Sequence, residues 1–238
     1  MAIQLNLNGV NSNEFEEGKT SSVLDTGLYQ GLLKYVYLTE AKSGTVIANA
    51  VIEINGLSKT FPMYITYKET KSPVKTVNGK PQTIAGYKQL NSLLYCACGK
   101  TFDQCTQEDK SIAIYDWDQR KEVPTMVPCI IDAMNTKIGV GVKKINKHKQ
   151  TNVNGQYVPT LETYLTNEVD RYYTVDGYLA SEKASGSEPK YAVSWKEKAG
   201  TVFEEKLKVT PIAPPTANLA SQPAGTTGTP VKDLFADD

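Results

Sequence analysis

The chain is poor in the residues from which most catalytic centres are built. Its 238 residues include one histidine, His148, set in the run Lys143-Lys144-Ile145-Asn146-Lys147-His148-Lys149. No Ser, Cys or Asp stands beside it in a known catalytic spacing. Cys96, Cys98 and Cys105 form C-x-C-x6-C, with Cys129 apart. Structural zinc sites place two to four residues between paired cysteines, so no metal site is expected, and Cys96 and Cys98 read as small buried thiols ending a helix. No phosphate-binding G-x-x-x-x-G-K-[ST] or G-x-G-x-x-G occurs; Gly139-Val140-Gly141 is too short to count. Asp116 and Asp118 flank Trp117 and would share a strand face, but read better as a solvated turn. No enzyme and no cofactor is expected.

Other absences bound the setting. No apolar run approaches the ~18 residues of a membrane span. The start, MAIQLNLNGVNSNEFEEG, is polar and lacks the apolar centre of a secretory leader, so four reduced thiols in a cytosol are expected. Net charge is zero, with 26 basic and 26 acidic side chains, which removes the global basic signature of a nucleic-acid binder. The distribution is uneven, however. Residues 59–88 hold six lysines against Glu69 alone, and 137–149 hold five lysines with no acid. Acids gather at 14–17, around 108–122 and at the last residues.

What is present is a β-meander over 26–71. Residues 28–39 are rich in Tyr, Leu and Val, and 45–54 alternate Val46, Ala48, Ala50, Ile52 and Ile54 against Thr45, Ile47, Asn49, Val51 and Glu53. Asn55-Gly56 predicts a type I′ hairpin, and 59–67 return with Phe61, Met63 and Ile65 on one face. Tyr35, Tyr37, Tyr64 and Tyr67 are interleaved with Lys34, Lys59, Lys68, Lys71 and Lys75. Flat rings beside ammonium groups can stack unpaired bases while the lysines follow phosphates. Rings packing a core, with lysines as solvated edge charges, fit the periodicity equally well.

The rest of the chain is expected to alternate loops, one helix and more strands. Residues 69–85 form a basic loop suited to function. Residues 86–98 repeat apolar side chains at three and four, a helix ended by Gly99. Strands follow at 110–117, at 122–131 (edge or bulged, because of Pro124 and Pro128), at 137–147 and at 161–174. Pro189 suits the first turn of a short helix over 188–199. From Val209 the composition turns to TPIAPPTANLASQPAGTTGTP, a disordered linker, ending in VKDLFADD. There Asp233, Leu234, Phe235, Asp237 and Asp238 offer apolar anchors among carboxylates for a partner's basic-rimmed pocket, or for the protein's own basic groove; a merely solubilising tail fits too.

In wording and order, GLYQGLLKYVYLTEAKSG, the NG hairpin, FPMYITYK, GYKQLNSLLY and IAIYDWDQRKEVPTMVP resemble the single-stranded-DNA-binding proteins of tailed bacteriophages, over roughly 22–175. The resemblance implies a mainly β protein with a five-stranded Greek-key OB-fold barrel and one helix between strands 3 and 4; the β and helical extensions, which over 176–207 the barrel alone does not require, and the disordered tail are read from the residues themselves. It implies one binding domain over 1–207 and a linker with acidic tail over 208–238. Expected partners are single-stranded DNA, without sequence preference, and replication, recombination or repair proteins that read the tail, in the cytoplasm of an infected bacterium; self-association on DNA is left open. The nucleic-acid-binding residues expected are Lys34, Tyr35, Tyr37, Lys59, Tyr64, Tyr67, Lys68, Lys71, Lys75, Trp117, Lys143, Lys144, Lys147 and Lys149. One departure is that Phe235 is followed by Ala236, Asp237 and Asp238. The alternatives are a non-catalytic adaptor recruiting replication enzymes through its tail, and an accessory to metal-assisted nucleic-acid chemistry, which the lack of clustered carboxylates disfavours.

Overall fold

A computed structural model describes residues 23–116, 118–153, 155–207 and 209–212. These fall into two compact units, the larger within 23–147 and 164–206, the smaller within 148–163 and 207–212. Trp117 and the tail residues Asp233, Leu234, Phe235, Asp237 and Asp238 lie outside the described residues, as does the N-terminal segment 1–22.

The meander forms as its alternation predicts. Strands β1 (Gly27–Glu40), β2 (Val46–Ile54) and β3 (Leu57–Tyr64) pair antiparallel in sequence. Asn55 and Gly56 both take positive φ, 52° and 77°, as a type I′ turn requires. An irregularity between Leu33 and Tyr35 makes Lys34 the extra residue of a bulge. Leu33, Val36, Ala48, Ala50, Ile52, Ile54, Phe61 and Met63 therefore share one buried face.

Between β3 and the helix the chain makes a second hairpin, β4 (Val74–Val77) and β5 (Lys80–Thr83), where the composition predicts only a loop. Helix α1 (Ala85–Cys98) then buries Leu90, Leu93, Leu94 and Cys96 against the β1–β3 face, and Gly99 closes it in the left-handed conformation, φ 74°. Gly86 admits α1 to that position: a Cβ there would stand 2.1 Å from the carbonyl oxygen of Tyr64.

Strands β6 (Gln107–Asp116) and β7 (Lys121–Ile130) form a hairpin, and β7 joins the β1 ladder at Tyr37↔Cys129. Pro124 and Pro128 thus sit where a missing N–H is tolerated. Strand β8 (Thr136–Val153) takes β1 over Thr136–Val142 and also pairs β9 (Gln156–Tyr173). The larger unit ends with α2 (Ala180–Ser185), α3 (Lys190–Lys196) and β10 (Val202–Glu204), which runs parallel to β8 at Lys144–Asn146. The protein is mainly β, as expected, but its main sheet has eight strands rather than five. No pairing between β3 and β9 closes it among the described residues. No described helix is long and apolar enough to cross a membrane. The linker reading from Val209 needs correction at its start, because Ile212 bridges Thr160, accepting from Leu161 N at 2.9 Å and donating to Pro159 O at 2.9 Å.

The segment after β9 is fastened by aromatic rings seated on glycines of β8. A Cβ on Gly139 would meet the Tyr173 ring at 2.1 Å and one on Gly141 the Tyr191 hydroxyl at 2.0 Å. Tyr191 stacks on Trp195, and Trp195 on Phe203, at 5.5 and 6.5 Å between centroids. Trp195 is 2% exposed and donates from Nε1 to Gly27 O at 3.3 Å. Burial raises the Tyr172 and Tyr173 phenols above 10.0, Tyr173 to about 12, and raises Tyr191, with Asp170 adding to it. Since the folded pKa values exceed the unfolded ones, this stability is complete below pH 10 and lost as pH rises through 10 towards 12. Phenolate absorbance and circular dichroism should therefore change together in an alkaline titration; ionisation of all tyrosines before any loss of structure would refute this.

Candidate nucleic-acid interface

The face of the meander opposite the core carries the rows Tyr35–Val51–Thr60, Tyr37–Asn49–Pro62 and Thr39–Ile47–Tyr64, since directly paired residues share a face. The β6–β7 hairpin covers part of it. Tyr37, Val51, Val127 and Cys129 form a second small core, with Tyr35, Ile112 and Ile114 packed against it. Tyr37 is 9% exposed, and burial raises its phenol pKa. The expectation that Tyr37 offers a stacking face is corrected: its ring is packing. Tyr35 is half-buried beside it, centroids 6.1 Å apart. Tyr64 is 56% exposed and keeps its ring in solvent.

The lysines divide just as sharply. Lys59 pairs with Ile52 and lies on the face opposite Tyr64, so those two are not brought together. Lys34 is held by Glu53 at 3.3 Å. The lysines of the predicted functional loop stand on ordered backbone. Tyr67 N donates to Ser72 O at 2.8 Å and Lys71 N to Tyr67 O at 2.9 Å, a closed turn that presents Lys68 and Lys71. Lys71 reaches Glu40 at 2.8 Å, which draws the turn towards the β1–β2 connection, where a Cβ on Gly44 would lie 3.6 Å from its side chain. Lys75, from β4, holds its ammonium 5.8 Å from the Tyr67 ring centroid, a cation–π arrangement. Lys42 and Lys80 are exposed on the neighbouring turns. Neither is among the expected contacts, and their only sequence signal is a lysine within two residues of a turn glycine.

The β8 lysines are placed otherwise than expected, because β9 and the entry to β1 meet them with acids. Lys143 pairs with Asp170 and lies 5.6 Å from the centroids of both Trp195 and Phe203; Lys144 reaches Asp25 at 3.0 Å and Lys147 reaches Glu168 at 2.5 Å. In the smaller unit Lys149 reaches Glu162 at 2.8 Å, and His148 Nδ1 lies 2.6 Å from Thr160 O. These charges are committed to the sheet and would have to leave a carboxylate to meet a phosphate. Charged cross-strand pairing of this kind depends on register, which the sequence withholds. By contrast, Lys42, Lys68, Lys75 and Lys80 have no carboxylate partner among the described residues.

Asp116 accepts from Asp118 N at 2.8 Å and Gln119 N at 3.0 Å, and these bonds, the Gln119 amide first, hold its pKa below the usual range. The four cysteines are free, and among the described residues no cluster of His, Cys, Asp and Glu could hold a metal. Several uncommitted cations, the exposed Tyr64 ring and the half-buried Tyr67 ring thus lie at the end of β3 and on the turns that follow it, while Tyr115, Tyr157 and Tyr164 are exposed elsewhere. No protein-family model matches the chain, and no curated protein matches it.

Proposed function

We propose that this protein binds single-stranded DNA without sequence preference and without catalysis, protecting strands exposed during phage DNA replication, recombination or repair in a bacterial cytoplasm. The observation that carries the reading is the grouping of Tyr64 and Tyr67 with Lys42, Lys68, Lys71, Lys75 and Lys80, of which only Lys71 is engaged by a carboxylate. Stacking rings beside mobile ammonium groups suit a flexible polyanion with exposed bases, and the sheet-bound lysines do not compete for it. The strand order β3-β2-β1-β8-β9, with α1 following β3, supports a partly open OB-fold barrel whose seam lies between β3 and β9. The two extra hairpins are then insertions. Anisotropy titration with labelled oligo-dT tests the reading. The wild type should saturate, and Tyr64→Ala should lose about 1–3 kcal/mol of binding while folding normally. Failure of the wild type to saturate would overturn the proposal.

The acidic tail is proposed as the contact for replication or recombination proteins. Phe235 is its one aromatic side chain, and Leu234 its neighbour. Phe235→Ala should abolish capture of such a partner while leaving oligo-dT affinity nearly unchanged, since no charge is altered. Capture that survives the substitution would show that the tail is not read through its ring.

A further inference from the structure

We propose that a recess beside the basic turns is a nucleobase pocket, taking one unpaired base of the bound strand and preferring a base with an exocyclic amino group. This rests on the strand-binding reading and adds a subsite to it. The recess, about 540 Å³, has Leu38, Val46, Ile65, Tyr87 and Phe102 among its walls and the exposed side chains Lys71, Asp103 and Gln107 among its polar lining. Leu38, Val46, Tyr87 and Phe102 pack on the main core yet remain half-buried. Tyr87 and Phe102 meet edge to face, 6.0 Å between centroids at 77°, so the wall includes an aromatic surface suited to a flat ring.

The polar lining selects the occupant. Lys71 belongs both to this recess and to the cationic turns, so a phosphate held there leaves its base beside the opening. An aliphatic or phenyl anchor would make no hydrogen bond to the Gln107 amide or the Asp103 carboxylate, whereas the edge of a base carries donors and acceptors for both. Asp103 is positioned by Thr101, whose hydroxyl donates to its Oδ1 at 2.6 Å, and a carboxylate so engaged keeps capacity to accept again. A carboxylate accepts from the exocyclic amino group of cytosine or adenine, whereas unpaired thymine lacks that group and offers only its ring N3–H. The consequence is a modest local preference on an otherwise sequence-tolerant track.

The test uses the full chain and short oligo-dT strands carrying one 5-iodocytosine or one dC. Photoadducts are expected on Tyr87 or Phe102. One dC should tighten binding about threefold over dT alone, the low end of what one net hydrogen bond contributes, as suits a solvent-exposed carboxylate. Asp103→Ala should erase that ratio, and a dC preference that survives the substitution would overturn the pocket. Adducts confined to Tyr64 and Tyr67, with no dC preference, would overturn the pocket and leave strand binding standing. Absence of saturable binding to any strand would overturn both. A photoreactive peptide of sequence VKDLFADD that labels Tyr87 where DNA does not would give the recess to a protein segment and overturn the proposal.

Discussion

Gly139→Ala is expected to cost about 3 kcal/mol of folding stability or more, a large loss for one methyl group. The added carbon would stand 2.1 Å from Cε2 of Tyr173. That ring has nowhere to go: it is buried, its hydroxyl donates to Tyr29 O at 3.0 Å, and Tyr191 lies against it at 6.2 Å between centroids. Gly99→Ala is the comparison, because its positive φ of 74° strains any side chain but nothing lies within 4 Å, so only about 1–2 kcal/mol should be lost. Urea midpoints read both. The double variant Gly139→Ala/Tyr173→Ala should be more stable than the summed single effects predict, because the ring that collides has been removed. A Gly139→Ala midpoint equal to wild type would mean that Tyr173 does not occupy the space above the glycine.

The largest effect on binding is expected from charge reversal at Lys68, Lys71 and Lys75 together. If each meets a phosphate, the triple glutamate variant should lose about 0.7 of logarithmic salt slope per contact, roughly 2 in all, and bind about a hundredfold more weakly or worse at low salt. The loss should be the same for oligo-dT and oligo-dC, because phosphate contacts carry no sequence information. Lys143→Ala and Lys147→Ala make the opposite case. Their ammonium groups are paired with Asp170 and Glu168, so these variants should lower the urea midpoint and leave the salt slope alone. A slope that fell for Lys143→Ala and held for the triple variant would move the strand's path from the turns to β8.

The difference between those two sets of lysines marks where the sequence stops being informative. The meander was legible because Asn55-Gly56 can make only a few turns well and because residues 46–54 alternate without interruption. Helix α1 was legible from its three-and-four spacing and from Gly99. Each of these signals is local. The fate of Lys143, Lys144 and Lys147 was not legible, since their partners Asp25, Glu168 and Asp170 come from other parts of the chain through strand register. Tyr37 failed for the same reason: its second face is covered by Val127 and Cys129, ninety or so residues away in a strand whose prolines gave no hint of where it would lie. The β4–β5 hairpin was hidden differently. Its strands are almost wholly exposed, so no apolar alternation marks them, and only Asn78-Gly79 betrays the turn. The basic turns could be named in advance as a functional candidate; their separation from the sheet-bound lysines could not.

The pairing of β1 also has a consequence for how the chain is made. Its first half, Gly27–Leu33, hydrogen-bonds to Thr136–Val142, and Gly27 O receives Trp195. A ribosome adding about 5–20 residues per second delivers those partners only after roughly 5–30 s, while the local β1–β2 and β2–β3 hairpins close in microseconds. For most of synthesis, then, the nascent chain carries a Tyr- and Leu-rich strand with one edge unpaired, the situation in which strands of neighbouring chains find each other. A chain released after β9 would still leave Gly141 without the Tyr191 ring that covers it. Soluble yield should therefore depend on elongation rate and on chaperone supply during translation more than on the equilibrium stability of the finished fold.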